Sequence, residues 1–266
     1  MLEDQELHAW LSASKDNIVV VTDYAQLEAL KGNALVNILK STEILADFPG
    51  QVRILKPIDA VSGLKGRKKG LKKRFTSGRA TRSFKKWCAK RARAAAGDRQ
   101  MVEKIERAGE AAAEQLAAML EDIAGFADNI EDATSDFTDD ELGILRRHEP
   151  ITADMAVKIF EGVMRLALKF YALHPGIDEL PPANEVPYTF IFRMALCAYI
   201  HALRWRVAGG AAGALPETMR NDIIDVTYAA YATCFDGLLS KDHKAREIYD
   251  NSKWLLDNVF FKNLPK

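Results

Sequence analysis

The sequence has little cysteine and little histidine, three and five in 266 residues. Cys88, Cys197 and Cys234 stand far apart, no pair is spaced C-x-x-C, and the histidines fall at no metal-ligand spacing. An odd, dispersed set of thiols argues against a disulfide framework, and with scattered histidines it argues against structural zinc. A reducing, cytoplasmic setting is the expectation. Long apolar runs are missing as well. The most apolar stretch, 188–214, is interrupted by Arg193, His201, Arg204 and Arg206, so a buried helix is expected and no membrane association. The opening MLEDQELHAWLSASKDN is acidic and lacks the apolar core of a signal peptide. Net charge is absent too, with 37 basic and 37 acidic residues.

That balance hides an asymmetry. Residues 65–99 hold fifteen Lys or Arg and one acid, Asp98. Acids dominate 101–141. With 48% apolar and 28% charged residues the composition is that of a globular protein, so the local charge is the informative part.

The chain opens with a β-branched run, 17–22, whose continuous apolar character suits a strand buried on both faces. Helical patterns follow at 24–30 and 34–48, broken at Lys31-Gly32-Asn33, and QVRILK (51–56) reads as a second strand. This β-α-β order is the unit of a parallel sheet. A basic loop rich in Gly, Ser and Thr spans 62–82. Helices are expected at 83–97, 100–132, from Thr138 (with the Thr-x-x-Glu capping pattern of Thr138 and Glu141), 152–174, 188–207, 218–233 and 244–260. Pro181, Pro182 and Pro187 make 177–187 a loop, and Gly237-Leu-Leu-Ser240 suits a short strand.

Several carboxylates take related positions in this scheme. Asp23 ends the first strand, Asp222 and Asp225 lie three apart on one helix face, and Asp242 follows the short strand at 237–240. In parallel sheets the carboxyl ends of strands leave the crevice where chemistry is housed. Clustered carboxylates there suit Mg²⁺ or Mn²⁺, which activate water and stabilise a leaving oxygen. Taken singly, each acid also reads as a helix cap.

The run NDIIDVTYAAYATCFDGLLSKD (221–242) resembles the C-terminal signature of PIN-like domains, and IVVVTDYAQLEALKGN (18–33) resembles their opening strand ending in Asp. Together the two segments cover about a fifth of the chain. The resemblance implies a PIN-like three-layer α/β/α fold with a central, mainly parallel sheet. A single domain would then be formed by both ends (about 17–60 and 188–266), with the basic loop 62–82 and a large helical insertion at about 83–175. It implies a metal-dependent endonuclease cleaving phosphodiester bonds, RNA ahead of DNA. Asp23, Asp225 and Asp242 match its metal-binding acids, with Asp222 beside them. PIN domains place a Glu after the second strand; here that region, IDAVSGLKGRKKG, offers only Asp59. Glu28 is the preferred substitute and Glu43 the other.

The basic run supplies the expected nucleic-acid contacts: Lys65, Arg67, Lys68, Lys69, Lys72, Lys73, Arg74 and Arg79. Lys and Arg neutralise phosphates, and glycine brings backbone N–H groups close to them. Phe75, Phe84 and Trp87 are interleaved and suited to stack on unpaired bases. The competing role for these cations is an internal match to the acidic segment 128–141. Two alternatives stand beside the nuclease. One is a catalytically inactive PIN-like module that binds nucleic acid or a protein, with a homo-oligomer or a regulatory protein as further partners. The other is a mainly helical adaptor whose acids are caps and surface charge.

Overall fold

A computed structural model describes residues 4–121, 132–147, 149–210 and 215–262. It forms two compact units, one of residues 1–61 and 72–119, the other of 62–71 and 120–266.

The first unit contains the β-structure. Strands β1 (Val19–Val21) and β2 (Val52–Ile54) pair in parallel, Val19 opposite Val52 and Val21 opposite Ile54. Val19, Val52 and Ile54 are buried against Leu7 and Leu11 of α1 (Asp4–Ala13) and Leu45 of α4 (Glu43–Asp47). The Gln51 side-chain amide ties the entry to the sheet by donating to the carbonyls of Leu11, Ser14 and Asn17. Between the strands run α2 (Asp23–Leu30) and α3 (Ala34–Ser41). Thr22 and Asn33 start these helices by accepting the N–H groups of Ala25 and Val36. After β2 come the short α5 (Ile58–Ser62) and α6 (Leu71–Phe75), then two long helices, α7 (Gly78–Ala95) and α8 (Arg99–Glu121). α7 lies on β2, where the Thr81 hydroxyl accepts the Ile54 N–H at 3.1 Å.

The second unit is helical. It comprises α9 (Asp139–Arg146), α10 (Ala153–Leu173), a 3-10 turn (Val186–Tyr188), α11 (Phe190–Val207), α12 (Pro216–Thr233) and α13 (His243–Leu255), which passes into a π-turn (Leu256–Phe260). α11 is apolar almost all round, and packs against α10, α12 and α13, as a helix without a polar face must. Phe192, Leu196 and Tyr199 of α11 meet Met155, Ile159 and Val163 of α10, with Leu256 and Phe260 closing the cluster. Gly162 is needed on α10 because a Cβ there would stand 2.3 Å from the Tyr199 ring. Thr138 and Glu141 form the expected capping box.

The three-layer PIN-like expectation is overturned. The protein is mostly helical, and among the described residues its sheet has two strands. The sequence pattern failed at Gly237-Leu-Leu-Ser240, which forms no strand. Its backbone serves the start of α13 instead: the Ser240 hydroxyl accepts the Asp242 N–H, and its carbonyl accepts from Arg246. Leu239 stays exposed, so no sheet face covers it.

Candidate functional site

Asp222 and Asp225 share a face of α12, as their spacing requires, and both turn to the start of α13. Asp222 is 2% exposed. Its Oδ2 accepts the indole N–H of Trp205 at 2.8 Å and lies 3.1 Å from Nε2 of His201. Its Oδ1 accepts from the Lys244 ammonium. Burial alone would raise this carboxyl, but the hydrogen bonds and charge from His201 and Lys244 outweigh it and bring it down to about 2. Asp225 pairs with the same ammonium at 2.7 Å. There burial dominates, aided by the charges of Asp242 and Asp222, and the carboxyl is raised. Lys244, which burial would push down, is held above the usual lysine value by its two carboxylates. Arg204 and Glu247 pair nearby at 2.9 Å.

Asp242 has a different occupation. It is the N-cap of α13, its Oδ1 accepting the Ala245 N–H at 3.0 Å. Asp23 belongs to the first unit and the other three acids to the second. It opens α2, and its carboxylate accepts the N–H groups of Ile58 and Tyr24, both at 3.0 Å. Burial raises it, with a smaller push from Asp59. Glu28 and Glu43 are exposed on α2 and α4. Among the described residues, no three His, Cys, Asp or Glu side chains are placed to hold one metal ion. The buried carboxylate of Asp222 and the half-buried one of Asp225 close on Lys244, so a metal ion would have to displace that ammonium to reach them.

The basic run has a clearer geometry. Lys65, Arg67, Lys68 and Lys69 lie in the loop of the second unit, and Lys72, Lys73, Arg74 and Arg79 belong to the first. All are exposed except Arg74, which is half-buried. The decisive element is α7. At about 100° per residue, Arg79, Arg82, Lys86, Lys90 and Arg93 fall within an arc of about 80°, over ~21 Å of helix. All five are exposed. Arg93 pairs with Asp98 at 2.5 Å; among the described residues Arg79, Arg82, Lys86 and Lys90 show no ion pair. The opposite face is the packed one. Thr81 and Ala94 are buried there, Trp87 donates to the Thr42 hydroxyl at 3.3 Å, and Arg91 donates to the Leu39 carbonyl at 2.7 Å.

One expectation falls in part with this arrangement. Phe75 is fully buried and cannot stack on a base, while Phe84 and Trp87 are half-buried with one side packed against the core clusters. Within the acidic segment, Asp132, Asp136 and Glu141 pair with Lys169, Arg165 and Lys158 of α10. Its part at 128–131 lies outside the described residues. The cations of α7 beyond Arg79, and the aromatic partner of the basic loop, Tyr188 (5.9 Å from Lys68 Nζ), were missed as site residues. A helical-wheel projection of 78–95 would have found the stripe; no sequence signal marks Tyr188.

No family model, curated protein or solved structure matches the chain. Among the described residues, no helix is long and apolar enough to cross a membrane.

Proposed function

We propose that this protein binds nucleic acid through the phosphate backbone, using the cationic stripe of α7, with RNA as the first substrate class. The observation that carries the reading is the segregation of charge on that helix. Five exposed cations share one narrow face and the apolar side chains share the other. A solvated surface needs only scattered charge. A single-sign stripe repels itself, and a polyanion relieves that repulsion by releasing its condensed counterions. A cytoplasmic setting belongs to the same proposal, supported by three free thiols, two of them buried. The test is binding of a short RNA as a function of salt, comparing the wild type with Arg82→Ala/Lys86→Ala/Lys90→Ala.

Phosphodiester cleavage is the second reading, with Asp222, Asp225 and Asp242 as its acids. One observation favours it: Asp222 and Asp225 share one face of α12 at the start of α13, where burial, with smaller pushes from Asp242 and Asp222, raises the Asp225 carboxyl. Incubation of RNA with protein and Mn²⁺ tests it, with Asp225→Asn as the control. Absence of cleavage leaves the binding reading alone.

A further inference from the structure

The loop 62–70 sets its cations beside an aromatic ring of the same unit. Gly66 is buried, and a Cβ there would stand 2.1 Å from the carbonyl oxygen of Glu185. Only glycine lets the backbone approach so closely. The next residue, Arg67, reaches the Glu185 carboxylate at 3.8 Å. With the loop anchored at these two residues, Lys68 lies with Nζ 5.9 Å from the centroid of the half-buried Tyr188 ring. Tyr188 also stacks on Phe261, with centroids 5.0 Å apart and planes 21° from parallel. The guanidinium of Arg193 lies over Phe261 at 5.6 Å. Arg193 is itself buried and held by the carbonyls of Pro187, at 2.8 Å, and Thr233. Tyr188 therefore has packed support from Phe261 and an exposed lysine over its ring.

The geometry points to Tyr188 as a stacking platform for one unpaired nucleobase, with Arg67, Lys68 and Lys69 on the adjoining phosphates. The ligand class is single-stranded nucleic acid. This inference rests on the backbone-binding reading and narrows it. A lysine 5.9 Å from a ring centroid is at the outer limit of cation–π attraction. A base covers the ring far better, and the displaced ammonium, on a flexible stem, moves to a phosphate. Duplex bases are already stacked on each other, so the platform selects unpaired strands. The α7 stripe meets only phosphates and does not discriminate.

Fluorescence anisotropy of the full chain with three labelled ligands tests this: an RNA single strand of roughly 12 nucleotides, an abasic phosphodiester of the same length, and a duplex. Tyr188→Leu, which keeps an apolar contact for Phe261, and Tyr188→Ala are expected to lose ~tenfold in affinity for the base-bearing strand. Binding of the abasic strand and the duplex stays as in the wild type, and Tyr188→Phe retains all three affinities. Equal ratios of base-bearing to abasic affinity in wild type and Tyr188→Leu overturn the platform. If the wild type binds all three ligands equally, the platform fails and backbone binding stands; if it binds none, both fail.

Discussion

The ammonium of Lys244 lies 2.7 Å from the carboxylate of Asp225, and it donates at the same time to the buried Asp222. One residue at the start of α13 thus bridges two acids on α12. Lys244→Met leaves Asp225 without its cation and Asp222 with only His201 and Trp205. Unpairing a buried charge is far costlier than never having had one. We expect a loss of about 3 kcal/mol, at the low end for such sites because Lys244 remains partly exposed. Urea unfolding measures it. Asp222→Asn in the same chain restores part of the loss by removing one anion.

The same cluster sets an acid limit on stability. Asp222 is lowered to about 2 in the folded protein, below its unfolded value. Its contribution is therefore fully present above about pH 4 and disappears as pH falls through about 2. Its size is about 2 kcal/mol by linkage. Asp225 is raised and acts with the opposite sign, so protonating it favours the folded state. Lys244 is raised, and its contribution is lost only when pH climbs through its folded value, above the usual lysine range. Melting temperatures between pH 5 and 2 should fall more steeply for the wild type than for Asp222→Asn.

Gly162 tests the packing of α10 on α11. A methyl group there meets Tyr199 at 2.3–2.4 Å, at the ring and its hydroxyl. Tyr199 is fully buried and has no room to swing away. Gly162→Ala should cost about 1–3 kcal/mol by overpacking, although alanine is the better helix former. The shift of the urea midpoint at unchanged slope measures it.

Gly66→Ala separates loop from helix. The clash is with the backbone carbonyl of Glu185, which no rotamer relieves. The loop must move, and the contact between Lys68 and Tyr188 goes with it. The stripe on α7 is untouched in sequence. Affinity for an RNA single strand should drop toward that for the duplex, while the salt dependence of duplex binding is retained.

Much of the local structure was legible. Both parallel strands, most helices and the capping box of Thr138 and Glu141 follow from periodicity and caps, because these are local devices. The fold class was not legible, because strand status is settled by pairing. Gly237 to Ser240 has strand-like composition yet forms no strand; Ser240 instead serves the cap region at Asp242. The acids were legible as residues, and their partners were not. Asp242 is spent as a cap, and Asp222 is closed by Trp205, His201 and Lys244, partners separated from it by up to 22 positions. The aromatics at 75, 84 and 87 looked available because interleaving with cations is a one-dimensional pattern; Phe75 is buried at the end of α6, and α7 turns Phe84 and Trp87 toward its packed face.

The most direct test of backbone binding is the affinity of a short RNA single strand over a series of salt concentrations. It is measured for the wild type and for Arg82→Ala/Lys86→Ala/Lys90→Ala, with stability followed in parallel. These side chains are exposed, so unfolding free energy should stay within about 0.5 kcal/mol. Each lost phosphate contact removes about 0.7 from the slope of log affinity against log salt for a single strand, so the variant's slope should be shallower by about 2. Parallel lines for the two proteins, or no binding by the wild type at low salt, would contradict the account.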